Sequence, residues 1–258
     1  MSEAAPPQPQ PIRDAATVIL VREDGGRPRV LMGQRGTRAA FMPSKFVFPG
    51  GAVDPEDHAL GEELTLAPET ERLLAVETPS GRRRALALAA IRELWEESGL
   101  ALGRPDPGAP ALAPRAPETL RPMLEAGIRP DGTGLRFVFR AVTPPGRPRR
   151  FDARFFLAHA SSLCCDPEDF SRACGELGCL QWVDLATARS LPHAHITGVV
   201  LSEIEAILTD PGADRNAPRP VPFYHDDRFV SYITPAGVTP TPRTWGPGAG
   251  TERRGAVS

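Results

Sequence analysis

The most informative segment of the chain reads Arg92-Glu93-Leu94-Trp95-Glu96-Glu97-Ser98-Gly99-Leu100. Its three glutamates have the spacing i, i+3, i+4, so a helix would carry all three carboxylates on one face. Like charges at this spacing destabilise a bare helix. A divalent cation such as Mg²⁺ or Mn²⁺ relieves the repulsion, because hard cations prefer several oxygen ligands. The pattern alone leaves a second interpretation open, which is a solvated acidic face without a ligand.

The residues around this segment predict a helix over 82–98. Ala87, Ala90, Ile91 and Leu94 fall at i, i+3, i+4 and i+7, and together they form an apolar stripe. Gly99 supplies a stop signal. At about 100° per residue the three carboxylates lie roughly opposite the stripe. We therefore expect the helix to pack with its apolar side on a core and to present the carboxylates on the other side.

Strand patterns before and after this helix indicate a mixed α/β (α+β) protein. Runs rich in β-branched and aromatic residues predict strands at 16–21, 29–35, 46–48, 135–142, 154–160, 180–183 and 229–233. Helical patterns follow at 184–191 and 196–209. The segment 103–117 contains five prolines and is expected to be a loop.

Composition and charge exclude several classes of partner. The 258 residues carry 30 Lys+Arg against 32 Asp+Glu, a net charge of −2, so the basic surface typical of nucleic-acid binders is absent. No apolar run reaches the ~18–20 residues of a membrane span. The first residues show no pattern of a secretory signal. We expect a cytoplasmic protein that binds a small molecule and neither nucleic acid nor a membrane.

Proline divides the chain into a domain and two tails. The 30 prolines are roughly twice the average share, and many of them lie at the ends of the chain, where no apolar periodicity is present. We expect a disordered tail at 1–13, a single domain at 14–234, and a tail rich in Pro, Gly and Arg at 235–258.

The segment from Arg92 to Leu100 matches the second half of the Nudix hydrolase signature at every fixed position. That signature is G-x5-E-x7-R-E-U-x-E-E-x-G-U, where U is a bulky aliphatic residue. Residues 49–57 resemble its first half, with Gly51 as the starting glycine and Asp57 where the family usually has glutamate. The family places this acidic residue 8 positions before the arginine, whereas Asp57 lies 35 positions before Arg92. The signature thus contains an insertion of 27 residues, at about 58–84, whose leucines predict helices packed on the domain.

Further segments are similar to one branch of this superfamily. Residues 41–54 and 150–156, together with Glu176 six positions before Trp182, resemble the branch that includes the peroxisomal coenzyme A diphosphatases. The resemblance implies an α/β/α sandwich with a mixed sheet, which hydrolyses the diphosphate between a nucleoside and another moiety. Coenzyme A (CoA), acyl-CoA or a related conjugate is the expected substrate. It also allows a homodimer, because dimers are common among these relatives.

Two alternative functions stay open from sequence. One is a diphosphatase for NADH, ADP-ribose or a nucleotide sugar. The other is a Nudix-fold binding module without catalysis, which the complete set of three glutamates argues against, because binding alone needs no metal site.

The resemblance also assigns roles to individual residues. Glu93, Glu96, Glu97 and the carbonyl of Gly50 would hold Mg²⁺ or Mn²⁺. Glu93, oriented by Arg92, would be a metal ligand or would help to deprotonate the attacking water. Glu176 is a candidate for an additional ligand or base, and a solvated loop glutamate is the equally open alternative.

Substrate contacts are predicted from residue chemistry. Arginine binds phosphate through two parallel hydrogen bonds, which makes Arg35 and Arg154 candidates. Phe46 is a candidate for nucleobase contact, and Gly51 allows the backbone to approach the substrate. Weaker candidates of the same two kinds are Arg38, Arg150, Phe41 and Phe155, and His193 and His195 are expected to be ordinary surface or capping residues.

Overall fold

The structure is a computed structural model that describes residues 11–37, 39, 42–209 and 219–239. Within these residues the strands are β1 (Ile12–Asp24), β2 (Arg27–Arg35), β3 (Phe46–Val47), β4 (Gly50–Ala52), β5 (Gly103–Pro105), β6 (Ile128–Pro130), β7 (Arg136–Val142), β8 (Arg150–His159), β9 (Leu177–Asp184), β10 (Val221–His225), β11 (Arg228–Thr234) and β12 (Gly237–Thr239). The α-helices are α1 (Pro55–Gly61), α2 (Pro68–Ala75), α3 (Ser80–Ser98), α4 (Arg121–Glu125), α5 (Leu185–Ser190) and α6 (His195–Thr209). None of the described helices is long and apolar enough to cross a membrane.

A large mixed sheet forms the centre of the fold. Its strands follow the order β12-β11-β10-β7-β8-β1-β2-β3, while β4 pairs with β1 and β9 pairs with β2. The β1–β8 and β7–β10 pairs are parallel, and the other pairs of this sheet are antiparallel. Strands β5 and β6 form a separate two-stranded sheet.

Helices cover both faces of the large sheet and give it two hydrophobic cores. Successive residues of a strand point to opposite faces. Val18 and Leu20 of β1 accordingly belong to the core under α1–α4, whereas Ile19 and Val21 belong to the core under α5 and α6. The fold is therefore the expected α/β/α sandwich.

Helix α3 follows its sequence pattern closely. Its apolar stripe, from Ala87 to Leu94, is fully buried in the first core. Gly99 ends the helix with a φ of 77°, a left-handed conformation that glycine adopts without steric cost, and its amide donates to the carbonyl of Trp95.

The insertion is helical and packed, as its leucines predict. It contains most of α1, all of α2 and the start of α3. Buried leucines from this region join the first core, among them Leu60, Leu64, Leu66, Leu73 and Leu74. The hydroxyl of Thr70 donates to the carbonyl of Leu135 at 2.7 Å, so α2 is also attached by a polar contact beside β7.

Two segments differ from the sequence expectations. The 103–117 segment, expected to be a loop, contains strand β5 and a 3₁₀ turn at Ala109–Arg115 in which Ala109, Leu112 and Ala113 are buried. Proline has a fixed φ compatible with such turns, so a proline-rich segment can still pack. The sheet is also longer than predicted, since β1 starts at Ile12 and β12 lies beyond residue 234. The rest of both predicted tails lies outside the described residues.

Candidate active site

Arg92 organises the acidic end of α3. Its side chain is almost fully buried, and its guanidinium donates to Glu93 Oε1 at 2.9 Å and to Glu96 Oε1 at 3.2 Å. A third hydrogen bond, at 2.9 Å, reaches the carbonyl of Ala52 in β4. The buried guanidinium of Arg92 therefore fixes two of the three carboxylates and connects them to strand β4.

Asp57 anchors Arg92 from the other side of the insertion. The two side chains form a bidentate pair with both N–O distances at 2.9 Å, and Asp57 is fully buried. The amide of Asp54 also donates to Asp57 at 2.9 Å. Although burial alone disfavours the charge on Arg92, Asp57 and the glutamates raise the pKa of Arg92 above its usual value. Although 35 positions separate Asp57 from Arg92 in sequence, their side chains are in direct contact.

Glu93 lies against Gly51 in a largely desolvated position. A Cβ atom on Gly51 would lie 2.5 Å from the carboxylate carbon of Glu93, so only glycine leaves room for this side chain. Burial raises the pKa of Glu93 to about 7, and the charges of Glu96 and Glu176 act in the same direction while Arg92 opposes it. Glu93 can therefore exchange a proton near neutral pH.

Glu97 is the most deeply buried of the three glutamates, with 1% of its surface exposed. It accepts a hydrogen bond from the amide of Gly50 at 2.9 Å. Burial and the nearby charge of Glu93 raise the pKa of Glu97 well above its usual value. Gly50 is sterically fixed as well, since a Cβ would meet the carbonyl of Ala16 at 2.7 Å.

Glu96 is more exposed and receives a further contact from the 103–126 region. The hydroxyl of Thr119 donates to Glu96, and the indole of Trp95 donates to the carbonyl of Thr119 at 3.0 Å. The turn around Thr119 therefore covers the end of α3.

Arg35, at the end of β2, and Glu176, in the loop before β9, complete this group. Arg35, in β2, lies 3.4 Å from Glu176 and 4.0 Å from Glu97. Glu176, just before β9, is more than half exposed, and its charge helps to raise the pKa of both Glu93 and Glu97. The structure thus brings Arg35, Glu176 and the three glutamates into one cluster.

The cluster opens into a cavity of about 980 Å³. Gly50, Gly51, Arg92, Glu93 and Glu96 line one part of it, together with Arg35 and Glu176. Another part is lined by Phe155 and by the β7–β8 hairpin, and the first residues of α6 contribute as well. A volume of this size is typical of ligand pockets that take nucleotide-sized molecules.

Two predicted substrate contacts lie elsewhere. Phe46 is buried in the second core and does not line the cavity. Arg154 is 3% exposed and bonds to Asp14 and to the carbonyl of Asp152, each at 3.0 Å. Strand alternation explains its direction, since Ala153 and Phe155 line the cavity and Arg154 points to the opposite face.

The weaker candidates divide in the same way. Arg150 donates to the carbonyl of Thr143 at 3.0 Å and stabilises the β7–β8 hairpin rather than lining the cavity. His195 and Phe155 do line it. Arg38 and Phe41 lie outside the described residues.

Comparison with known proteins gives the family. No family model matches the chain. The chain is 31% identical to a NUDIX hydrolase from Alicyclobacillus acidocaldarius of known crystal structure, over 74% of this chain and 90% of that one, with a TM-score of 0.58. This chain belongs to the Nudix hydrolase family.

Two curated relatives share parts of the sequence. A Caenorhabditis elegans protein carrying the name nudix hydrolase 7 is 41% identical over 88 residues, which is 34% of this chain and 22% of that protein. The acyl-coenzyme A diphosphatase NUDT19 of Gallus gallus is 32% identical over 59% of this chain and 55% of that protein. The chain thus spans about a fifth and about half of the length of these two relatives.

The glutamates of the Nudix signature, Glu93, Glu96 and Glu97, carry the oxygen donors that a hard divalent cation prefers. Their free donors are carboxylate oxygens, and burial, assisted by the charges of neighbouring glutamates, raises the pKa of Glu93 and of Glu97. In the described part of the chain, no group of three His, Cys, Asp or Glu side chains is arranged to hold an ion. Arg92 and the Gly50 amide occupy carboxylate oxygens that an ion would use. Metal binding therefore requires these side chains to exchange partners.

Sequence reasoning missed Thr119 and understated Asp57. Thr119 lies 23 positions from Glu96 in a proline-rich turn, and no local pattern connects the two. Asp57 had a signal, because Asp54-Pro55-Glu56-Asp57 is a helix start with proline in the first turn and an acidic third residue.

Proposed function

We propose that this chain is a Mg²⁺- or Mn²⁺-dependent hydrolase that cleaves the diphosphate of CoA, acyl-CoA or a related nucleotide conjugate. The observation that carries the proposal is the Asp57–Arg92 pair, which holds Glu93 and Glu96 beside Glu97 at one end of a nucleotide-sized cavity. Family membership supports the reaction class. The named activity of the Gallus gallus relative supports the choice of CoA conjugates.

The residues have distinct roles in this reaction. Glu93, Glu96, Glu97 and the Gly50 carbonyl are the groups that would hold the cation. When bound, the cation lowers the pKa of an attacking water and balances charge that develops on the phosphoryl oxygens. Glu93 is a metal ligand or the group that accepts the proton of that water, and Arg92 fixes its orientation.

Arg35 and Glu176 are the residues of the site that can change their contacts when a substrate binds. Arg35 lies beside the carboxylates and can instead donate two parallel hydrogen bonds to a substrate phosphate. Glu176 is exposed enough to move and can serve as a further ligand or base.

A substrate panel with one glutamate variant tests the proposal. CoA, acetyl-CoA, NADH, ADP-ribose and a nucleotide sugar are each incubated with saturating Mg²⁺, and products are identified by mass spectrometry. We expect CoA and acetyl-CoA to be cleaved at the diphosphate. We also expect Glu97→Gln to lower kcat at least about a hundredfold, because it removes a charged oxygen from the site.

The matched control is Glu118→Gln, which removes a cavity-lining glutamate that makes no contact with Arg92. This variant should retain wild-type turnover. Unchanged turnover in Glu97→Gln would contradict the assignment of the metal site. Preferred cleavage of NADH, ADP-ribose or the sugar nucleotide would contradict the proposed substrate class. Binding of a substrate without product formation would identify a non-catalytic module.

A further inference from the structure

Lys45 is the only lysine of the chain, and it lines the cavity. Among the described residues it has no ion pair, and neither do two other cavity-lining cations, Arg147 and Arg149. Those two arginines are exposed on the β7–β8 hairpin, whereas Lys45 is half-buried. A half-buried ammonium without a counter-charge is ready to bind an anion.

The N-terminus of α6 lies beside Lys45. The amide of Phe46 donates to the carbonyl of Pro192 at 2.9 Å, which joins the Lys45 segment to the residues that precede the helix. Ala194 directly precedes α6 and has no side-chain oxygen that could cap it. Residues 194–197 all line the cavity, so the first turn of a 15-residue helix borders it, and the first amides of a helix have no partner within the helix.

Thr197 supplies an independent sign of a ligand at this place. Its side chain lines the cavity and is only 7% exposed, yet its hydroxyl has no hydrogen-bond partner among the described residues. The hydroxyl oxygen itself is accessible from the cavity, so it is free to donate a hydrogen bond to a bound ligand. An anion held by the helix amides and Lys45 would also satisfy this hydroxyl.

This second group of donors lines the same cavity as Glu93 and Glu96. Lys45 and Gly50 are five positions apart in sequence, so their Cα atoms are at most about 18 Å apart. A CoA molecule carries its diphosphate and its third phosphate on two carbons of the same ribose, and the third phosphate is a monoester that the hydrolytic reaction leaves intact.

We infer that Lys45, Thr197 and the N-terminus of α6 form a second anion subsite, which binds the ribose 3′-phosphate of a CoA-type substrate. The inference rests on the proposed function and specifies its selectivity. Substrates with this third phosphate are bound through it, whereas NADH, ADP-ribose and nucleotide sugars lack the group.

The test compares CoA with 3′-dephospho-CoA, which differ only in the phosphate concerned. The wild-type protein should show a kcat/KM at least about tenfold higher for CoA, mainly through a lower KM. Lys45→Gln and Thr197→Val should each reduce this preference to less than about threefold. Far-UV circular dichroism and thermal unfolding of both variants check that the fold is retained.

Arg149→Gln is the matched control, because it removes an unpaired cation from another part of the same cavity. This variant should retain the preference for CoA. An equal kcat/KM for both substrates in the wild type would overturn the inference, as would loss of the preference in Arg149→Gln alone. If Lys45→Gln slows both substrates equally, Lys45 acts on the diphosphate and the inference is wrong.

A binding measurement separates this inference from the hydrolytic reaction. Calorimetry with adenosine 3′,5′-bisphosphate and with AMP reports the 3′-phosphate without turnover. Tighter binding of the bisphosphate that disappears in Lys45→Gln supports the subsite even if no substrate is cleaved. Equal binding of the two nucleotides contradicts it even if CoA is a substrate.

Discussion

At the scale of single residues, the site depends on how Asp57 compensates for the charge of Arg92. The pair is buried and bidentate, and Arg92 in turn fixes Glu93 and Glu96. Aspartate is one methylene shorter than the glutamate that the family usually carries here. The N-terminus of α1 brings it close enough, because Asp57 lies in the first turn and also accepts the amide of Asp54.

Asp57→Asn should lower the free energy of unfolding by about 3 kcal/mol, because it leaves the buried guanidinium without its main counter-charge. Urea denaturation measures this change. Glu205→Gln is the control, since it breaks an exposed ion pair with Arg189 and should cost less than about 1 kcal/mol. Equal effects of the two variants would show that the Asp57–Arg92 pair has no special role.

Gly51→Ala should lower kcat at least about tenfold while the fold remains stable. The added Cβ overlaps the carboxylate of Glu93, so Glu93 has to leave its position in the site. Steady-state kinetics and thermal unfolding of the same preparation measure the two effects. Gly81→Ala, where a Cβ meets nothing within 4 Å, should leave kcat unchanged. Wild-type activity in Gly51→Ala would contradict the placement of Glu93.

At the scale of elements, helix α3 carries the three glutamates, and burying their ionised carboxylates destabilises the folded protein. Burial raises the pKa of Glu93 to about 7 and that of Glu97 well above its usual value. A raised folded-state pKa means that the folded protein holds the proton more tightly than the unfolded chain does. The resulting stabilisation is complete below about pH 4.5 and is lost as the pH rises through about 7.

In metal-free buffer, wild-type stability should therefore fall between pH 5 and pH 8 relative to Glu93→Gln. The pKa change from 4.5 to about 7 corresponds to about 3 kcal/mol of unfolding free energy for this residue. Mg²⁺ or Mn²⁺ should raise the Tm of the wild type more at pH 8 than at pH 5. Calorimetric unfolding tests this, and parallel pH profiles for the two proteins without metal would contradict it.

The inserted helices stabilise the domain without entering the cavity. Leu74 of α2 is buried in the first core, and none of residues 58–84 lines the cavity. Leu74→Ala should lower the free energy of unfolding by about 3 kcal/mol. Its kcat/KM per folded molecule should equal that of the wild type. A large loss of kcat/KM at a temperature where the variant is fully folded would give the insertion a role in the reaction.

At the scale of the whole molecule, local patterns predicted most elements and part of the site. The stripe at Ala87–Leu94 predicted α3, and the β-branched runs predicted the central strands. These predictions were possible because a buried helix or strand places its apolar residues in a recognisable pattern along the sequence. The Arg92–Leu100 segment located the glutamates. Phe46 and Arg154 could not be placed, because a single sequence does not reveal which face of a strand borders a cavity.

Contacts between residues that are far apart in the sequence could not be predicted either, because no local sequence pattern reports them. Thr119 meets Glu96, Arg35 meets Glu176, and Lys45 lies beside α6 only after the sheet and both helical layers have assembled. The 103–117 segment shows a related limit, since its prolines indicate irregular backbone but not whether that backbone is buried.

Metal-dependent cleavage of CoA by the purified wild-type chain tests the central claim most directly. Chromatography and mass spectrometry follow CoA in Mg²⁺ and in a chelator. We expect adenosine 3′,5′-bisphosphate and 4′-phosphopantetheine in equal amounts, formed with Mg²⁺ and not with the chelator. Intact CoA in the presence of both Mg²⁺ and Mn²⁺, or the same rate of cleavage in the chelator, would contradict it.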